Sequence, residues 1–143
     1  MAFVYKTIGL DELLRELRAL PAAVTAEAET IVTDSAETVA AQARAAYPAP
    51  TASSRGPTLR ESVRVEPVDT GSPLGTAARV RNTAPHARWY EYGTASRRNA
   101  RGQNRGASPA HATLVPIAVR ERRTMYRTLA DLLEKRGATV TGL

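Results

Sequence analysis

The 143-residue chain contains no cysteine, which excludes disulfides, thiolate nucleophiles and cysteine-type zinc sites together. Histidine is nearly missing as well: His86 and His111 stand 25 positions apart, without the short spacing that brings two imidazoles onto one metal. No phosphate loop, Gly-x-Ser-x-Gly turn or carboxylate cluster is present to carry nucleophilic or acid–base chemistry. No run approaches the roughly 18 apolar residues of a membrane span, and the opening MAFVYKTIGL holds no long apolar segment. These absences describe a soluble, non-enzymatic protein of the cytoplasm, with no cofactor, no metal and no membrane partner. Aromatic residues are also scarce, at one Trp, five Tyr and one Phe. Hydrophobic residues make up 43% of the chain, but alanine supplies much of that. The core is expected to be thin, helix-rich and dependent on partners.

What is present begins with an uneven charge. Residues 1–47 carry four bases and seven acids, net −3, whereas residues 48–143 carry sixteen bases and seven acids, net +9. Such a two-faced molecule suits a polyanion on one side or complementary contact between copies of the same chain.

The periodicities predict a single α+β domain over residues 1–143. Leu10, Leu13, Leu14 and Leu17 line one face of a first helix that Pro21 ends. An Ala-rich stretch without Gly or Pro predicts a long second helix from about Ala22 to Tyr47, with Val24, Ala28, Ile31, Ser35, Val39, Gln42 and Ala46 as its packing stripe. Residues 48–57 read as a flexible Pro/Ser/Gly loop. The alternation in TLRESVRVEPV, the turn residues DTGSPLGT and the short AARVRN predict a small antiparallel β-hairpin between 58 and 82. Residues 95–108, nearly devoid of apolar side chains, read as a long basic flexible loop. A C-terminal helix is predicted to start near Pro116, with Ala118, Met125, Leu129, Leu132 and Leu133 buried and Gly137 as terminator. The last residues, ATVTGL, leave room for a short closing strand.

Two stretches invite a functional reading. RWYEYGT, residues 88–94, gathers three of the seven aromatics around Glu91. Glu91 is the one candidate general acid, with His86 five residues before it, but pairing with a nearby arginine is the plainer role for that carboxylate. The basic loop carries Arg97, Arg98, Arg101 and Arg105, and the last helix adds Arg120, Arg122, Arg123 and Arg127. These support non-specific contact with DNA, yet no helix-turn-helix, zinc finger or RNA-recognition signature accompanies them.

Order along the chain adds a third reading. PTLRESV at 57–63, APHARWYEYGT at 84–94 and SPAHATLVPIAV at 108–119, behind a long helix ending AAY, resemble the small neck proteins of long-tailed bacteriophages. This is the tail-completion or head-tail joining family, which includes the tail terminators. The resemblance spans roughly residues 25–136, and its most specific piece is Glu91-Tyr92-Gly93-Thr94. It implies a structural ring subunit, commonly a hexamer among tail terminators, at the head-proximal end of a siphovirus tail. Its partners would be the tail tube protein and head-side connector or stopper proteins, with DNA passing non-specifically through the lumen. It would reside in the virion after assembly in the host bacterial cytoplasm. A head-tail adaptor or stopper is the alternative within this class, and a free DNA-binding protein the alternative outside it.

On this reading RWYEYGT is a clasp. Trp89, Tyr90 and Tyr92 would pack the segment against sheet and helix, Gly93 and Thr94 would turn the chain out, and Glu91 would meet an arginine of the same or the next subunit. Arg97, Arg98, Arg101 and Arg105 would face DNA or the lumen. Glu91→Ala would then impair assembly more than folding.

Overall fold

The computed structural model describes residues 22–51, 56–71, 76–137 and 140. Among them the elements run α1 (Ala22–Ala46), β1 (Val63–Asp69), β2 (Thr76–Asn82), α2 (Ala87–Tyr92), β3 (Thr94–Arg98), β4 (Asn104–Ser108) and α3 (Leu114–Glu134). The α+β class is as expected. The helix read around Leu10–Leu17, the closing strand read in ATVTGL and part of the 48–57 loop lie outside the described residues.

α1 forms where the sequence predicts it, because its 25 residues include no helix breaker and many alanines. Its buried side is not quite the expected stripe. Val24, Ala28 and Val39 are buried, but Ala36, Ala40 and Ala43 are buried too, while Ser35 and Gln42 are only half-buried and Ala46 is exposed. The cause is a change of partner along the helix. Near its start, Val24 and Ala28 pack on Leu129 and Leu132 of α3, flanked by Ile31, Met125 and Tyr126. Towards its end, Val39, Ala40, Ala43 and the following Tyr47 meet Leu59, Val63, Ala84, Ala87 and Ile117. A helix that turns from one neighbour to another must rotate its apolar face, and a fixed helical period misses that rotation.

α1 and α3 run antiparallel. Gln42 Nε2 donates to Glu121 Oε1 at 2.9 Å and its amide oxygen accepts from Arg120, while Arg136 pairs with Glu27 at 3.1 Å near the other end. Such exposed pairs fix the helix register more than they stabilise it.

β1 and β2 pair antiparallel in an unbroken register from Val63↔Asn82 to Asp69↔Thr76. The hairpin is as predicted, but it starts later. Leu59 to Ser62 form a helical turn, in which the Ser62 N–H donates to the Thr58 carbonyl at 3.1 Å. That turn is held largely by side chains: Asn82 Nδ2 donates to the Leu59 carbonyl at 2.9 Å, and the Thr83 hydroxyl to the Ser62 carbonyl at 3.1 Å beside the Thr83 N–H at 2.9 Å. Arg60 Nε donates to the Tyr47 carbonyl at 2.7 Å, setting a cation at the C-terminal end of α1 where the helix dipole favours one.

The largest departure from expectation is the segment read as a loop at 95–108. It forms a second antiparallel hairpin, β3–β4, paired at Thr94↔Ser108, Arg97↔Gly106 and Arg98↔Asn104 with irregularities between them. Its tip is tied by Asn99, whose Oδ1 accepts from the N–H groups of Arg101 (3.0 Å) and Gln103 (2.9 Å). The two hairpins form separate two-stranded sheets.

Candidate functional site

α2 is only six residues long, and it sorts its side chains by face. Ala87 and Glu91 are buried and Tyr90 half-buried, while Arg88, Trp89 and Tyr92 point outward. Glu91 is 9% exposed, one of the two polar residues buried among those described. Its Oε1 accepts the Tyr47 hydroxyl at 2.5 Å and the Leu114 N–H at 3.1 Å, and its Oε2 accepts the Thr113 N–H at 2.8 Å.

The carboxylate therefore joins three parts of the fold: the end of α1, the short α2 and the start of α3. The first N–H groups of a helix have no partner within it and form its positive pole, so a carboxylate set against them is stabilising twice over. Thr113 occupies the cap position but makes no side-chain cap; its hydroxyl donates to the His111 carbonyl instead. This explains why α3 begins at Leu114, two residues before the expected Pro116. Glu91 supplies the cap from another element, and Pro116 in the first turn has no N–H needing one.

Aromatic rings close the hub. The Tyr90 ring meets Tyr47 edge to face, with centroids 5.7 Å apart, and stacks on His111 at 5.0 Å. The Tyr90 carbonyl accepts the His111 N–H at 2.9 Å. Tyr47 is wholly buried. Burial first, and the adjoining Glu91 carboxylate second, hold its hydroxyl well above the ordinary tyrosine range.

That raised affinity for a proton has a pH consequence. Below about pH 10 both the folded and the unfolded chain carry the Tyr47 proton; above it the unfolded chain releases the proton and the folded chain does not. Stability should therefore fall as pH rises past 10, by about 1.4 kcal/mol per pH unit from this group. Urea midpoints at pH 9, 10 and 11 test this, with Tyr47→Phe flattening the decline. An equal slope in both proteins would reject the assignment.

After α2 the chain turns at Gly93, with φ 70° and ψ −174°. A Cβ built there would lie 2.6 Å from the Ser108 carbonyl oxygen and 2.9 Å from the Ala110 nitrogen. Glycine is needed because the returning strand crosses at that distance. Thr94 Oγ1 then accepts the Ser108 N–H at 3.1 Å, fastening the base of the β3–β4 hairpin.

The clasp predicted from RWYEYGT is thus corrected in one respect. Tyr90 does pack inward, but Trp89 is 54% and Tyr92 71% exposed, because a helix of one and a half turns has a single inner face. Among the described residues Glu91 meets no arginine; a tyrosine hydroxyl and two backbone N–H groups engage it. Arg97, Arg98, Arg101 and Arg105 are all exposed, as expected, though on a hairpin rather than a loop. Sequence reading missed Tyr47, His111, Thr113 and Leu114 as members of the hub. The only available signal was the threonine ahead of the VPIAV run, a residue type favoured at helix starts.

An α+β domain organised about a capped helix and carrying outward aromatics is the class that these elements define. The chain matches, over residues 11–93, a family model described as "Bacteriophage HK97-gp10, putative tail-component". More than half of its length is covered, and the chain belongs to this HK97-gp10-like family of phage tail components. The resemblance drawn from its motifs is borne out at that level. The match ends at Gly93, so the β3–β4 hairpin and α3 lie beyond it. Searches of curated proteins and of solved structures found no match. No helix among the described residues is long and apolar enough to cross a membrane.

Proposed function

We propose that this tail component is a non-enzymatic ring subunit of the phage neck: a tail terminator or tail-completion protein at the head-proximal end of the tail, with DNA passing through its lumen. One observation carries the reading. Trp89 and Tyr92 on α2, and Val115 and Val119 on α3, are large apolar side chains left exposed. Within each pair the spacing of three or four residues puts both on one helix face, and the Glu91 bonds fasten the two helices together. Tryptophan and tyrosine on rigid elements are what subunit interfaces use as anchors, whereas a monomer gains nothing by wetting them.

The test is light scattering after size exclusion, with and without purified tail tubes. The wild-type protein should self-associate and attach to tube ends. Trp89→Ala/Tyr92→Ala should keep the wild-type melting temperature, since neither side chain is buried, yet shift to monomer and lose tube binding. A wild-type protein that stays monomeric at every concentration and ignores tubes would sink the proposal. Capture of the head-side connector instead of the tube would favour the adaptor or stopper reading.

A further inference from the structure

We propose that the arginine-rich β3–β4 hairpin of one copy docks on the acidic outer face of α1 of the next copy, an interface that rests on the ring reading above and gives it a direction.

Three observations converge. From Tyr92 to Val119 the chain has no Asp or Glu, so the hairpin's Arg97, Arg98, Arg101 and Arg105 form an undiluted positive patch. Among the described residues none of these four guanidiniums has a hydrogen-bond or ion-pair partner. Arg44, Arg60, Arg81 and Arg136, by contrast, each bond within the chain. The hairpin is also held in shape, by Gly93 and Thr94 at its base and Asn99 at its tip, so little order must be imposed on its backbone when it binds.

The complementary patch is on α1. Glu29, Asp34 and Glu37 are exposed, their carboxylates have no partner among the described residues, and the one base of the helix, Arg44, is directed to the Val63 carbonyl. The hairpin is rooted beside the hub, where Glu91 holds Tyr47. Glu29 and Glu37 lie 18 and 10 residues before Tyr47, so at 1.5 Å per residue these acids sit about 15–27 Å up α1 from Tyr47. No ion pair joins the two patches within the chain.

Two different, complementary patches on one subunit make a head-to-tail contact, the kind that closes into a ring. DNA would satisfy the arginines alone and leave the acidic face of α1 unpartnered, so a second copy accounts for more of the surface.

The experiment uses the full chain with reversed charges. Arg97→Glu/Arg98→Glu/Arg101→Glu/Arg105→Glu should keep the wild-type melting temperature and weaken self-association by about tenfold or more at low salt. Glu29→Lys/Asp34→Lys/Glu37→Lys should do the same. Mixing the two variants should restore assembly in equal proportion, since each then offers the other a matching patch. If the wild type assembles and the hairpin variant assembles as well, the interface is wrong while the ring reading stands. A hairpin variant that assembles normally but loses retention of duplex DNA overturns it in favour of a nucleic-acid contact. A wild type that never assembles removes the ring reading and this interface together.

Discussion

Glu91→Ala should lower the free energy of unfolding by on the order of 3 kcal/mol. The substitution leaves the buried Tyr47 hydroxyl and the N–H groups of Thr113 and Leu114 without their acceptor, and α3 loses the negative charge at its positive pole. For a chain of this size the loss corresponds to roughly 10 °C in melting temperature. Glu91→Gln, which keeps one oxygen as acceptor, should fall between the two proteins. In a double-mutant cycle with Tyr47→Phe the two losses should be less than additive, because both remove the same bond. A Glu91→Ala protein that melts with the wild type would show that the hub does not hold the fold. This reverses the order expected from sequence, in which Glu91→Ala impairs assembly more than folding. A buried carboxylate engaged by its own chain acts on the fold first, and on assembly only through it.

Gly93→Ala is the second large effect, expected to cost about 3 kcal/mol or more. Two costs add. At φ 70° and ψ −174° the backbone lies in a region that side chains with a Cβ scarcely enter. The new methyl would also stand 2.6 Å from the Ser108 oxygen, a backbone atom that can withdraw only if the hairpin base moves. Gly102 provides the control: its φ is 76°, but nothing lies within 4 Å of a Cβ built there, so Gly102→Ala should cost only about 1 kcal/mol. Hydrogen exchange adds a local readout, since the Ser108 N–H should lose protection in the Gly93 variant alone. Equal costs at the two glycines would mean that the close crossing of strands is unimportant.

The parts of the fold that were legible in the sequence are those built from local pattern. α1 was readable because 25 residues without Gly or Pro have few alternatives to a helix, and β1–β2 because apolar and charged residues alternate there. β3–β4 was not, since its side chains are exposed on both faces and its pairing rests on the main chain and on Asn99, which leaves no hydrophobic period to detect. The start of α3 lies two residues before the Pro116 near which it was read, for a different reason. It is decided by Glu91, 22 residues upstream of Thr113, and a cap delivered from another element leaves no mark beside the helix it caps. The aromatic run was noticed, but which of Trp89, Tyr90 and Tyr92 turns inward depends on the phase of a helix too short to show a period.

The contrast between the two ends of the β3–β4 hairpin determines where foreign sequence can be accepted. At the tip, Ala100 and Arg101 are exposed and the turn is closed only by solvent-facing bonds to Asn99. At the base, the backbones of Gly93 and Ser108–Ala110 pass too closely for a single added methyl. An epitope or fluorophore inserted between Ala100 and Arg101 would therefore leave the fold of its subunit intact, whereas the same insertion at the base would pull the crossing backbones apart.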